Sequence, residues 1–265
     1  MHGFVINNGI SLLIMLFWPT TIFLWSQKYY KLIFLSIIIT SLITIQSSNF
    51  ASVVAIGVGL FSFIFAFFIP RFTYKFAAVG LTILILGTPF FMKSLPDAQT
   101  IGKNLPELSY SIYPRLVIWQ FASNLAMEKP ITGHGIRTSR VLSKNPNQVP
   151  FLYRDNGKLL TGNTKEIPLH PHNGLIQIWL ELGAVGALLV LTIVLCTLQN
   201  IKRSKAPKIF KSLAFAAFMS TLCLISVSYG LWQSWWMGAL WLQAALIVLT
   251  INIPEQIKNI NIKLH

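Results

Sequence analysis

Charge is scarce in this sequence, and acidic charge scarcer still. Of 265 residues 11% are charged, with 21 lysines and arginines against only 7 aspartates and glutamates. A soluble domain carries about a quarter charged residues. So low a content, with 54% hydrophobic residues and a mean hydropathy of +0.63, excludes a water-soluble globule, a disordered chain and a coiled coil. Cysteine is nearly absent: Cys196 and Cys223 both fall inside apolar stretches and read as neither a disulfide nor a metal pair. There is also no Walker loop, dinucleotide fingerprint, HExxH helix or GxSxG elbow. The formal charge of +14 does not indicate nucleic acid, because no basic patch is interleaved with exposed aromatics. Basic loops that orient a membrane protein and meet anionic lipid headgroups account for it.

What is present is a series of apolar runs. A bilayer core takes about 20 apolar residues per helix, and seven runs qualify as expected spans: 8–26, 31–47, 51–69, 75–92, 173–198, 210–229 and 235–253. Lys28 and Lys31 follow the first run, Arg71 and Lys75 the third, Lys202 to Lys211 the fifth, and Lys258 and Lys263 the seventh. The alternate short loops carry no basic residue. The positive-inside rule therefore puts these basic loops in the cytoplasm, the N-terminus outside and the C-terminus inside. Residues 93–172 are then external, and a loop of this length falls outside the charge rule. This gives an all-α integral membrane protein in four regions: four spans over 1–92, a long loop over 93–172, three spans over 173–253 and a tail over 254–265.

A loop so long points to function. Within it 111–127 reads as a helix, with Pro114 in the first turn and Leu116, Trp119, Ala122, Ser123 and Ala126 at helical spacing. Pro130 and two glycines end it. Residues 146–169 are turn-rich and polar and are expected to be mobile.

The sharpest feature is His170-Pro171-His172-Asn173. Pro171 suits a helix start, which would put His172 and Asn173 in the first turn of the fifth span. There the helix dipole keeps imidazole neutral, the form a general base needs, and the same helix end attracts phosphate. On a straight helix His172, Ile176, Trp179, Gly183 and Gly186 share one face, with the two glycines admitting a neighbouring helix. His172 reads equally as a cap or interfacial histidine. A zinc reading of His170 and His172 would need a third ligand, and only Glu166 lies near; no metal and no cofactor is expected. Glu181, the one acid inside a span, projects from the opposite face and is either functional or a paired, protonated glutamate. Arg115 opens the loop helix, where a cation is unfavourable unless an anion binds there. Trp119, one turn on, either stacks on a sugar or wedges the helix against the membrane. Arg137 and Arg140 follow Gly133-His134-Gly135 and are weaker candidates, since loop charge is usually solvated.

His172-Asn173, nine residues, then Gly183-Ala184-Val185-Gly186 resembles the signature of the O-antigen ligase and polymerase superfamily. Arg115 through Trp119, with Pro130 and Gly133-His134-Gly135, is similar to a second block in that family's long periplasmic loop. The resemblance covers residues 1–253. It implies a GT-C-like bacterial inner-membrane glycosyltransferase, independent of metal and nucleotide, which moves a glycan from undecaprenyl diphosphate to a lipid A-core sugar. It makes His172 the candidate base. Arg115, Trp119, Arg137, His170 and Asn173 become candidate substrate-binding residues, and Gly183 and Gly186 structural ones. The family usually carries further N-terminal spans, so the chain reads as a C-terminal portion of a family member. Where the family tends to place Ser-Arg-Gly this chain has Ser48-Asn49-Phe50, without the arginine. Two alternatives stay open: a polymerase of the same superfamily, and an inactive fragment or non-catalytic glycolipid-binding protein.

Overall fold

A computed structural model describes residues 2–47, 49–97, 99–100, 103, 110–142, 144 and 147–263. Its order is α1 (His2–Ser26), α2 (Tyr30–Gln46), α3 (Phe50–Phe68), α4 (Pro70–Lys93), α5 (Ile112–Ala126), α6 (Thr138–Leu142), β1 (Gln148–Asp155), β2 (Lys158–Lys165), α7 (Gly174–Arg203), α8 (Lys208–Val227) and α9 (Ser234–Lys263). Helices occupy all seven apolar runs. Among the described residues five stretches are long and apolar enough to cross a membrane: Asn7–Ser26, Phe50–Phe68, Pro70–Lys93, Gly174–Arg203 and Lys208–Val227. Tyr30–Gln46 and Ser234–Leu249 are shorter apolar helices. α4 starts at Pro70, a residue preorganised for a helical first turn, five residues before the expected span, so Arg71 lies within it instead of before it.

The chain divides into two compact units. The first comprises Met1–Ala78, Leu195–Leu224 and Ser234–His265. Phe17, Trp18, Ile22, Ala66, Tyr74, Leu198 and Phe215 belong to its core. Gly59 on α3 makes room for the Trp18 ring: a Cβ there would lie 2.3 Å from it. Inside hydrocarbon, polar groups find partners on other helices or on their own backbone. Accordingly, Ser220 Oγ donates to the Ala55 carbonyl (2.9 Å), and Thr221 Oγ1 donates to Gln243 Oε1 (2.6 Å). Asn49 caps α3, its side-chain oxygen accepting from Ser52 N–H, while its amide donates to the Asn7 carbonyl (3.0 Å). Ser48, which stands where the family tends to have the serine before its arginine, lies outside the described residues.

The second unit comprises Val79–Val194 and Ile225–Gln233. Its loop helix falls where the spacing predicts. Residues 146–169, by contrast, are corrected: β1 and β2 pair antiparallel from Gln148↔Lys165 to Asp155↔Lys158. Asn156 and Gly157 turn the hairpin with φ of +50° and +75°, the two left-handed residues of a type I′ turn, whose handedness matches strand twist. Phe151 on β1 packs with Tyr113 and Val117 of α5. Its ring lies nearly parallel to that of Tyr113, with centroids 6.4 Å apart.

Candidate functional site

The expected single face of the fifth span does not exist, because α7 is broken at Gly183 (φ +61°, ψ −154°). That conformation is essentially restricted to glycine. The break is filled by the segment after α5. His134 and Gly135 N–H donate to the Leu180 and Glu181 carbonyls (2.9 Å each), while Ala184 and Val185 N–H donate to the Pro130 and Ile131 carbonyls (2.8 and 3.2 Å). Four bonds from a loop thus satisfy backbone groups that a helix interruption would leave unpaired in a buried place. The approach leaves no room for side chains. A Cβ on Gly133 would meet the Glu181 backbone at 2.5 Å, and one on Gly183 would meet Ile131 at 2.5 Å. Gly183 therefore accommodates a loop, not the neighbouring helix its position suggested.

Glu181, just before the break, is fully buried. It accepts from Arg137 N–H (2.7 Å), Ser139 Oγ (2.7 Å), Gln177 Nε2 (3.1 Å) and Trp232 Nε1. Four hydrogen bonds converge on its two oxygens, three of them from N–H donors. Gln177 in turn accepts from Leu231 N–H (2.9 Å). The carboxylate thus joins α7, the start of α6 and the turn at 230–233, and Arg137 is held with φ +63°. Sequence periodicity set Glu181 apart from the site; three of its four partners lie 42, 44 and 51 residues away, beyond any local pattern.

His172 and Asn173 precede α7 and do not begin it. Asn173 is the cap: its Oδ1 accepts from Leu175 N–H (3.0 Å) and Ile176 N–H (3.1 Å). His172 stands outside the helix at φ +54°, a left-handed conformation uncommon for residues other than glycine. Two bonds hold it there. Its N–H donates to His170 Nδ1 (3.1 Å) and its ring Nδ1 meets the Ser228 carbonyl (3.1 Å). A carbonyl only accepts, so Nδ1 carries the proton, and in the neutral ring Nε2 is the lone-pair nitrogen. The cause of neutrality also differs from the expected dipole. Burial lowers the His172 pKa first and the Arg115 charge lowers it further, against the Ser228 bond, which raises it.

His170 is buried, its ring centroid 4.2 Å from that of His172. Burial, then His172, then Arg140 push its pKa down to about 3. Gly230 lets it lie against backbone, since a Cβ there would be 2.8 Å from the ring. Arg137, Arg140, His170, Glu181 and Trp232 line one cleft. Arg115 of α5 is near enough for its charge to act on His172, and its own pKa is lowered by burial, against Tyr229, which raises it. The structure thus brings Arg115, His172, His170, Arg137 and Arg140 into one region. Trp119 lies one turn from Arg115, partly buried, its indole N–H enclosed without an acceptor among the described residues; it does not line the cleft. Among the described residues no group of three His, Cys, Asp or Glu side chains gathers. Glu166, the one nearby residue that a zinc reading would have needed, accepts from Asn147 (3.2 Å).

The sequence model of the O-antigen ligase family matches residues 32–191, a stretch that contains both the Arg115 block and the His172 to Gly186 block. A proposed polysaccharide ligase of Rickettsia conorii is 30% identical over 237 residues, 89% of this chain and 55% of that protein. Similar proteins of Rickettsia typhi and Rickettsia prowazekii are 30% and 29% identical, over 90% of this chain and 57% of their own lengths. The chain thus spans about half the length of the curated relatives it matches. No solved structure matches it.

Proposed function

Since the chain belongs to the O-antigen ligase family, we propose that it is a membrane glycosyltransferase that moves a glycan from undecaprenyl diphosphate to a lipid A-core sugar hydroxyl. The observation that carries this reading is the tautomer of His172: an imidazole kept neutral by burial and by a cation, with Nδ1–H anchored and Nε2 left to accept a proton. In the proposed reaction the acceptor hydroxyl gives its proton to Nε2 as its oxygen attacks the anomeric carbon. The bond from that carbon to the diphosphate breaks, and the lipid diphosphate leaves with the electron pair. A general base contributes about 10² to 10⁴ in rate. Arg115 is the diphosphate ligand, through the paired donors that arginine offers phosphate. His170 accepts from the His172 backbone and sets its conformation. Arg137 and Arg140 supply cations to the adjoining cleft, and Trp119 offers an aromatic face for a sugar. Asn173 fixes the start of α7, while Gly183 and Gly186 accompany its break.

The topology we propose with this chemistry has seven spans in a GT-C-like arrangement. The loop 93–172 lies on the periplasmic side of a bacterial inner membrane, between spans over 1–92 and 173–253, with the tail 254–265 in the cytoplasm. The site then lies where a lipid-linked glycan is exposed. The test is product analysis with the purified chain, undecaprenyl-diphosphate glycan and either lipid A-core or a second donor molecule. Transfer to lipid A-core supports the ligase. Chain growth on the second donor identifies a polymerase, and no product with either acceptor refutes the catalytic reading.

A further inference from the structure

Within the first unit, which contains none of the residues of the proposed reaction, four cations gather around one pocket. Arg71 of α4, Lys202 near the end of α7, and Lys208 and Lys211 of α8 line a cavity of about 210 Å³ together with Tyr74 and Ser212. Among the described residues no acidic side chain lines it. Arg71, Lys208 and Lys211 stand in the first turns of α4 and α8, which contain no acid. A cation at a helix N-terminus opposes the dipole, and an anion there is favoured. The arrangement is thus unfavourable twice over, by mutual repulsion and by the dipoles of two helices, unless an anion sits among them. Lys208 is also held in place, its Nζ 4.7 Å above the Phe67 ring.

Beside this pocket lies a groove of different chemistry. Phe61 and Phe65 of α3, Phe72 and Phe76 of α4 and Met219 of α8 help to line a cavity of about 540 Å³. The two cavities adjoin along α4 and α8. Tyr74, lining the first, packs its ring 5.1 Å from that of Phe215, which lines the second. The basic pocket lies where α4 and α8 begin, and the groove runs along apolar helices long enough to cross a membrane.

We propose that these adjoining cavities form one binding site for an anionic phospholipid, with its phosphate diester among Arg71, Lys202, Lys208 and Lys211 and an acyl chain in the phenylalanine groove. Basic pockets between membrane helices hold such headgroups. The groove separates this ligand from free phosphate, which has no use for it. The assignment is independent of the transfer chemistry at His172.

The test is native mass spectrometry of the intact chain, released from detergent containing equal amounts of phosphatidylglycerol and phosphatidylcholine. Phosphatidylglycerol should be retained in preference. Each cation near a membrane surface is worth about five-fold in affinity, so Lys208→Gln and Lys211→Gln should each lower the preference several-fold, and with Arg71→Gln should bring it to parity. Met219→Trp, which fills the groove, should lower phosphatidylglycerol retention with the cations intact. Lys28→Gln with Lys31→Gln, exposed cations outside the pocket, should leave the preference unchanged. Cooperative melting of each variant separates loss of the site from loss of the fold. Equal retention of the two lipids by the unaltered chain overturns the proposal, as does an equal loss in the Lys28 and Lys31 variant. Displacement of the lipid by millimolar inorganic phosphate would identify a free-phosphate site and overturn it as well.

Discussion

Replacing Glu181 by glutamine changes one oxygen of a buried carboxylate to an amide nitrogen among four donors. The replacement has two placements. If the amide takes the place of Oε2, it faces Arg137 N–H and Trp232 Nε1–H, two donors that cannot reverse. If it takes the place of Oε1, the Ser139 hydroxyl rotates to accept, and only Gln177 Nε2 loses its partner. The second is less costly. It leaves one buried donor unsatisfied, at about 1–3 kcal/mol, and removes charge assistance from the bonds that remain. A total of about 3 kcal/mol corresponds to a fall of about 6–12 °C in melting temperature for a chain of this size. Glu181→Ala, which strands all four donors, should fall further. Ser139→Ala, which removes a single bond and leaves three donors on the carboxylate, should cost about 1–2 kcal/mol. The assay is thermal unfolding of the detergent-purified protein by intrinsic tryptophan fluorescence. A Glu181→Gln protein that melts with the unaltered chain would refute the reasoning, because no neutral side chain of that shape accepts from all four groups.

Gly183→Ala should destabilise by about 3 kcal/mol or more, since the new Cβ would lie 2.5 Å from Ile131 at a glycine-only backbone conformation. Gly157→Ala, also at positive φ but in open space, should cost only about 1 kcal/mol by the same melting measurement. His170 stays neutral when folded until about pH 3 but takes a proton near 6.5 when unfolded. The unfolded state therefore binds more protons between those values, and stability falls as pH drops from about 6.5 toward 3, by at most about 5 kcal/mol. Melting curves across this range should show the loss, and His170→Asn, which keeps an acceptor for His172 N–H, should flatten it. In a Cys196→Ser, Cys223→Ser background, impermeant thiol reagent added to intact cells should label Gly157→Cys and not Ser204→Cys; the reverse pattern would overturn the proposed orientation.

The apolar runs made the helices legible because hydrocarbon demands both length and apolarity, and both are written locally. α5 was legible for the same kind of reason, from Pro114 in a first turn and side chains at helical spacing. The hairpin was missed: Asn156-Gly157 carries a turn signal that depends on backbone handedness, but polarity across the stretch masked it. Gly183 was not readable in this way. The apolar pattern on either side of it is that of a straight helix, and the break exists only because Pro130 to Gly135, about 50 residues earlier in the chain, supply the missing bonds. The same holds for His172. Pro171 is compatible with a helix start, and only the bonds from Leu175 and Ile176 to Asn173 show that the cap lies one residue beyond the histidine. The candidate residues therefore stood out in the sequence, while their geometry depended on contacts between distant segments.

The central claim is that His172 accepts the proton of the attacking hydroxyl while Arg115 holds the diphosphate, and single-turnover transfer together with lipid-donor binding tests it most directly. His172→Ala should lose about 10² to 10⁴ in transfer rate with donor affinity and melting temperature nearly unchanged. Arg115→Ala should lose both rate and affinity, with Arg115→Lys recovering only part of them for want of paired donors. Transfer at the unaltered rate by a folded His172→Ala protein would contradict the account.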